Sequence, residues 1–377
     1  MMSRLCVWDE LPAQTRVAGY LSRAVASDAV SHAYLFVGPT GSGKITAAKA
    51  LACALFCDDG GCGSCPTCRR VLSGFHPDVH EVHPEGAATY VIQQIRDIIH
   101  DVHLKPVQAR RKIYIVGEAE RFDAPSANAF LKTLEEPPDN VVIILMTRSY
   151  DAVMPTIASR CQVVRFRPIP PSVAEALLVQ RSGADTAQAR AALAAAGGVV
   201  PRAEDLLGSP GRLAARDLAL DTLKRLAVMD GYDILEAARE LLAAAKAPLD
   251  EVKSVHSDEL EEHRSLLGKQ SSTKSLEDRQ KRELTSRERE GLSEIIGVTE
   301  SWLRDCLVVS QGADALVGNT DVADALVEVA AVITPRAALT AISAAETARK
   351  RITYNVSPQL AIEAMLFDIQ EVLRCPR

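Results

Sequence analysis

The sequence predicts a doubly wound α/β domain followed by a small helical bundle and a larger all-helical domain. Three observations predict it. Short apolar runs alternate with amphipathic segments as far as residue 166. The first run, Tyr34-Leu35-Phe36-Val37, leads into the glycine loop Gly38-Pro39-Thr40-Gly41-Ser42-Gly43-Lys44 and then into an alanine-rich segment ending at Phe56. Beyond Pro168, Pro170 and Pro171 the strand pattern stops and only helical periodicity remains. Strands interleaved with helices give a parallel sheet covered on both faces. The expected domains are 1–167, 168–210 and 211–377, and a chain of 377 residues is long enough to give each a core.

Taken in order, residues 13–30 read as a helix, with Val17, Leu21 and Val25 on one face, and His32–Val37 as the first strand. Strand, glycine loop and helix together make a phosphate-binding loop. Its glycines (Gly38, Gly41 and Gly43) let backbone N–H groups turn toward an anion, and the following helix adds its positive end. Lys44 would reach the outer phosphates. The next position should carry a hydroxyl for Mg²⁺, but it is Ile45. Thr46 supplies a hydroxyl one residue later, about 100° further round the helix, so it belongs to the loop without replacing the missing ligand.

The helix 44–56 ends at Cys57, Cys62, Cys65 and Cys68, spaced C-x4-C-x2-C-x2-C with Gly, Ser and Pro between them. Two successive C-x2-C steps can wrap one tetrahedral ion, which predicts a structural zinc site. Free thiols in a loop and a redox pair are the other readings. Cys53, one turn earlier on an apolar face, reads as a core residue. A second strand is expected at 79–82 and a helix at 91–102. His76, His80, His83, His100 and His103 lack a compact ligand spacing and read as surface or capping residues.

Ile113–Val116 reads as a buried parallel strand. In phosphate-loop NTPases this strand ends in an acidic metal partner; here the pair is Gly117-Glu118, so the metal residue is missing and only Glu118 remains. A helix through Phe130, Leu131 and Leu134 is ended by Pro137-Pro138. Val141–Met146 is apolar throughout and therefore central. Thr147 and Arg148 follow at its C-terminal end, where ligands of open α/β sheets lie. Ser159-Arg160-Cys161 precedes a fifth strand at 163–166. Helices are expected at 173–179, 187–196 and 202–207, a linker at Ser209-Pro210-Gly211, and helices from Leu213 onward. The charge-dense stretch 253–290 reads as a solvated helix or loop, or as a partner-facing arm whose mixed signs make no clean basic patch.

Composition narrows the function. A net charge of −6 argues against strong autonomous binding of nucleic acid. No apolar run nears the roughly 18 residues of a membrane span. Residues 1–11 include Asp9 and Glu10 and lack the apolar core of a secretory signal. A cytoplasmic protein is the expectation.

With the loop, the cysteine cluster, the segment Leu131-Lys132-Thr133-Leu134-Glu135-Glu136-Pro137-Pro138 and Ser159-Arg160-Cys161 in place, residues 13–210 resemble the AAA+ subunits of the bacterial DNA polymerase III clamp loader. The last domain resembles them only in general pattern. The resemblance implies a parallel-sheet domain, a three-helix lid and a helical collar that joins a five-subunit arc. It implies partnership with motor (gamma/tau) and delta subunits, and with primed DNA through the complex. The motor members keep both nucleotide motifs and the stator member has damaged ones; Ile45 and Gly117 place this chain with the stator. The resemblance also implies that Arg160 reaches in trans into a neighbour's ATP site, against the plainer reading of a surface ion pair. Arg202, after Gly197-Gly198, would fall near a second nucleotide-sensing arginine of the lid. The longer first cysteine gap common in the family would make Cys53 a competing ligand; Cys57 is preferred because it lies at the helix end, where the chain can turn toward the cluster.

Three functions therefore compete: a non-hydrolysing stator with structural zinc and doubtful ATP binding, an active ATPase of the gamma/tau type, and a zinc-dependent nucleic-acid module. The second has only Glu118 to replace two metal partners. The third meets Asp58 and Asp59 in the loop and only Arg69-Arg70 as a basic pair.

Overall fold

A computed structural model of the chain describes residues 6–84, 89–249, 274–354 and 356–374. They form two compact units, 1–170 and 171–377. In the first, the strands are β1 (Ala33–Val37), β2 (Val79–Val82), β3 (Lys112–Val116), β4 (Val141–Thr147) and β5 (Gln162–Arg165). They pair in parallel in the order β2-β3-β4-β1-β5, so the unbroken apolar β4 is central, as its composition predicts.

Alternation along β1 divides the core. Tyr34 and Phe36 face one side, with α1 (Thr15–Ala26), α2 (Lys44–Phe56) and α3 (Pro66–Leu72). Ala33, Leu35 and Val37 face the other, with α4 (Ile92–Val102), α5 (Ala124–Glu135) and α6 (Pro155–Ala158). Both faces being covered explains why β1, β3 and β4 are buried at every position. The register sets Val37 beside Thr147, and Val116 beside Leu145. The loops after β1, β3 and β4 therefore leave the same edge of the sheet.

At the opposite edge, the fully buried Asp78 carboxylate accepts N–H groups from Val107 (2.5 Å), Gln108 (2.8 Å) and Ala109 (2.7 Å). Burial works to raise its pKa, but the three N–H groups outweigh it and hold the carboxyl below the usual aspartate range. A depressed folded-state value adds stability above the unfolded pKa near ~4, and this is lost as pH falls through the folded value. Asp78→Ala is expected to cost the first unit about 3 kcal/mol in denaturant unfolding. Asp78→Asn should flatten the acid limb of its stability curve, and an unchanged limb would show that Asp78 does not carry it.

Two of the histidines depart from the surface reading. His76 is only 4% exposed; its Nδ1 accepts the Asp78 N–H (3.2 Å) and its ring packs on Phe56 at 4.8 Å. His80 stacks on Tyr114, also at 4.8 Å. Their apolar partners come from other elements, which local spacing does not reveal.

The second unit is helical: α7 (Pro171–Ser182), α8 (Thr186–Ala195), α9 (Val200–Gly208), α10 (Pro210–Arg225), α11 (Gly231–Lys246), α12 (Lys274–Ser310), α13 (Ala323–Ala330), α14 (Pro335–Thr353) and α15 (Pro358–Arg374). Ser209-Pro210-Gly211 is a helix start and not a linker: the Ser209 hydroxyl accepts the Arg212 N–H, and proline occupies the first turn. The nearly buried Arg216 ties α10 to the loop before α13 through Asp321 (2.7 Å) and Asn319 (3.1 Å). Residues 253–273 of the charge-dense stretch lie outside the described residues; from Lys274 onward it is α12. No helix among the described residues is long and apolar enough to cross a membrane.

Candidate functional site

The glycine loop stands at the C-terminal edge of the sheet, between β1 and α2. Gly43 has φ +86°, a left-handed conformation that costs a side-chain-bearing residue about 1–2 kcal/mol, and from there the chain turns directly into α2. The Lys44 ammonium donates to the carbonyls of Gly38 (2.5 Å) and Pro39 (2.7 Å), and the Ser42 hydroxyl also donates to Pro39 (2.8 Å). Burial and the nearby Arg148 push the lysine down to about 8, while Glu120 works to raise it. Glu120 and Arg148 thus share the field at Lys44; the sequence marks Arg148 only by its place at the end of β4, and Glu120 not at all.

Gln14 is a further contributor that the sequence does not announce. Its side-chain amide donates to the Ser42 carbonyl (3.0 Å) and the Arg167 carbonyl (2.6 Å), bridging the loop to the chain after β5. It is almost fully buried, and its three contacts span 28 and 153 residues of sequence. Nothing in its neighbours marks it.

Positions 45 and 117 make other contacts. Ile45 packs against the core on the α1–α2 face. A Cβ at Gly117 would lie 2.9 Å from the His83 ring, and the Tyr90 hydroxyl donates to the Gly117 carbonyl. An aspartate at 117 would therefore need His83 to move. Glu118, in the left-handed region with φ +46°, pairs with Arg121 at 3.3 Å. Thr147 is buried, and its hydroxyl donates to the Ser149 carbonyl (2.9 Å). The structure thus gathers Gly38, Gly41, Gly43 and Lys44 into one loop, with Thr46 on the first turn of α2 and Glu118 and Thr147 at the neighbouring strand ends. Arg202 belongs to the second unit. It is exposed on α9 beside a cavity of about 740 Å³ lined also by Arg212, Arg216, Glu290 and Glu294.

The cysteine cluster closes on itself. The sulfurs of Cys57, Cys62, Cys65 and Cys68 all lie within 4.8 Å of one another. Cys57 and Cys62 are 3.7 Å apart, and Cys57 and Cys65 3.8 Å. A tetrahedral ion with bonds of about 2.3 Å to sulfur needs edges of about 3.8 Å, so these residues suit such an ion. Backbone N–H groups of Cys65 and Cys68 point at the Cys62 and Cys65 sulfurs (3.4 and 3.3 Å), as they would to stabilise thiolates. The N–H groups of Ser64 and Cys65 push the Cys62 thiol down to about 6, whereas burial pushes Cys68 up. Cys53 stands apart, buried, with its thiol directed at the Cys68 carbonyl (3.8 Å) and raised by burial to about 11. Among the described residues no histidine group gathers in this way.

Arg160 lies on the surface after α6, one third exposed. Its Nε donates to Glu135 Oε1 (2.7 Å), its Nη2 to the same oxygen, and its Nη1 to the Thr156 carbonyl (2.8 Å) and Ser159 Oγ (3.3 Å).

Residues 13–170 match the family described as DNA polymerase III, delta subunit. DNA polymerase III subunit delta' of Bacillus subtilis is 38% identical over 178 residues, 46% of this chain and 54% of that protein. Subunit delta' of Pseudomonas aeruginosa is 33% identical over 202 residues, 52% of this chain and 61% of that one. Subunit tau of Bacillus subtilis is 36% identical over 166 residues, 43% of this chain and 29% of that one. The chain therefore spans about half the length of the delta' relatives and less of tau.

Proposed function

We propose that this chain, which over about half its length is similar to delta' and tau subunits of DNA polymerase III, is the delta-prime stator of a clamp loader. In this role it assembles with motor (gamma/tau) and delta subunits, helps place the sliding clamp on primed DNA, and lends Arg160 to a neighbour's ATP site. One observation carries the reading. Its own loop region offers no side-chain oxygen at Ile45 or Gly117, while a guanidinium stands at the surface. Such a guanidinium stabilises charge developing on a transferring phosphoryl group. Lys44, the glycines and the start of α2 suit a phosphate, so nucleotide could be held without being hydrolysed. Cys57, Cys62, Cys65 and Cys68 hold one structural zinc, whose four thiolates leave no position open for water.

The isolated chain is expected to show negligible Mg²⁺-dependent ATP turnover, and adding it to motor and delta subunits should raise theirs. Turnover by the chain alone that disappears in Lys44→Ala would replace the stator with an active ATPase of the gamma/tau type.

A further inference from the structure

We propose that Glu135 holds Arg160 in reserve, competing with a neighbour's phosphate for the same guanidinium. The inference rests on the trans reading of Arg160 and adds the residue that controls it.

The segment 131–138 acquires a physical role in this way. Phe130 and Leu134 bury one face of α5, so Glu135, about 100° further round, turns outward. Pro137-Pro138 stops the helix immediately afterward, which keeps Glu135 in its last turn. The short helix α6 packs beside α5 through the buried Ile157 and Ala158, which brings Arg160 across 25 residues of sequence to that carboxylate. An arginine has five N–H donors. Four are taken here: two by Glu135 Oε1, one by the Thr156 carbonyl and one by Ser159 Oγ. A phosphate oxygen approaching from a neighbouring subunit finds one free donor. A two-pronged grip on phosphate requires the guanidinium to leave Glu135.

The exchange replaces one anion with another, so the arginine's charge is never left uncompensated. It favours a partner more negative than a carboxylate, a condition that a terminal phosphate meets. The pair is surface-exposed, at 33% for Arg160 and 47% for Glu135, and a pair of that kind is weak enough to be exchanged. Glu136, the adjacent carboxylate, makes no bond to Arg160 and serves as a control of equal charge.

The test is ATP hydrolysis by the complete reconstituted loader with clamp and primed DNA, in the steady state for KM and in single turnover for the rate at the adjacent site, comparing Glu135→Gln, Glu136→Gln, Arg160→Ala and the double variant Glu135→Gln/Arg160→Ala. With Glu135→Gln the KM for ATP should fall about two- to fivefold, the range an exposed pair supports, while kcat stays within about twofold. Glu136→Gln should match the unmodified chain, and the double variant should match Arg160→Ala. In the isolated chain, exchange of the Arg160 Nε proton, followed by NMR, should quicken in Glu135→Gln. If Glu135→Gln leaves KM unchanged while Arg160→Ala still lowers turnover, the competition is absent and the trans arginine stands. A fall in kcat toward that of Arg160→Ala would make Glu135 an orienting group and overturn the proposal. If Arg160→Ala leaves turnover unchanged, the trans reading itself fails.

Discussion

Arg160→Ala in the reconstituted loader is expected to slow hydrolysis at the adjacent ATP site by about 10³-fold, the order of effect of an arginine supplied in trans. Total turnover should drop by the share which that site contributes, so single-turnover measurement at limiting ATP is the suitable readout. Folding should scarcely change. The lost pair with Glu135 is exposed, and such pairs contribute about 0–1 kcal/mol. Arg160→Lys should recover little, because an ammonium lacks the planar fork that grips two phosphate oxygens. A loader whose single-turnover rate is unaffected by Arg160→Ala would place the activating group elsewhere.

The second large effect is expected from Cys65→Ser. Cys65 is a candidate ligand, and its sulfur also accepts the Cys68 N–H at the start of α3. The purified chain should carry one zinc and the variant none, a loss on the order of 10 kcal/mol of metal-binding free energy at neutral pH. Residues 57–72 should then become open to protease, while the sheet, whose central strands are buried on both faces, stays folded. Cys53→Ser should retain its zinc, since that sulfur points at a backbone carbonyl outside the cluster. Metal analysis distinguishes the two variants, and a full zinc complement in Cys65→Ser would exclude Cys57, Cys62, Cys65 and Cys68 as the ligand set.

Both effects concern residues that the sequence already singles out, yet their surroundings differ in legibility. The cysteines fall within twelve consecutive positions, and that spacing alone limits how they can fold, so the cluster is legible from residue order. Arg160 is equally visible as a residue, but its partner is not. Glu135 and Glu136 look alike in the sequence, and only the packing of α6 on α5 decides which of them meets the guanidinium. The histidines show the same limit. His76 has no ligand-like spacing and reads as a surface group, but Phe56 and the Asp78 loop enclose it.

By itself the sequence determined the order of the five strands, the glycine loop between β1 and α2, the cysteine cluster and the lack of a side-chain oxygen at Ile45 and Gly117. Each of these is set by residue type and short-range spacing, through the two backbone periods and the reach of a few bonds. Tertiary structure alone decided that His83 and Tyr90 crowd Gly117, that Gln14 ties Ser42 to Arg167, and that Arg160 is held by Glu135. Those contacts join residues far apart in the chain. Whether they meet depends on how separate elements pack, and no local pattern encodes that.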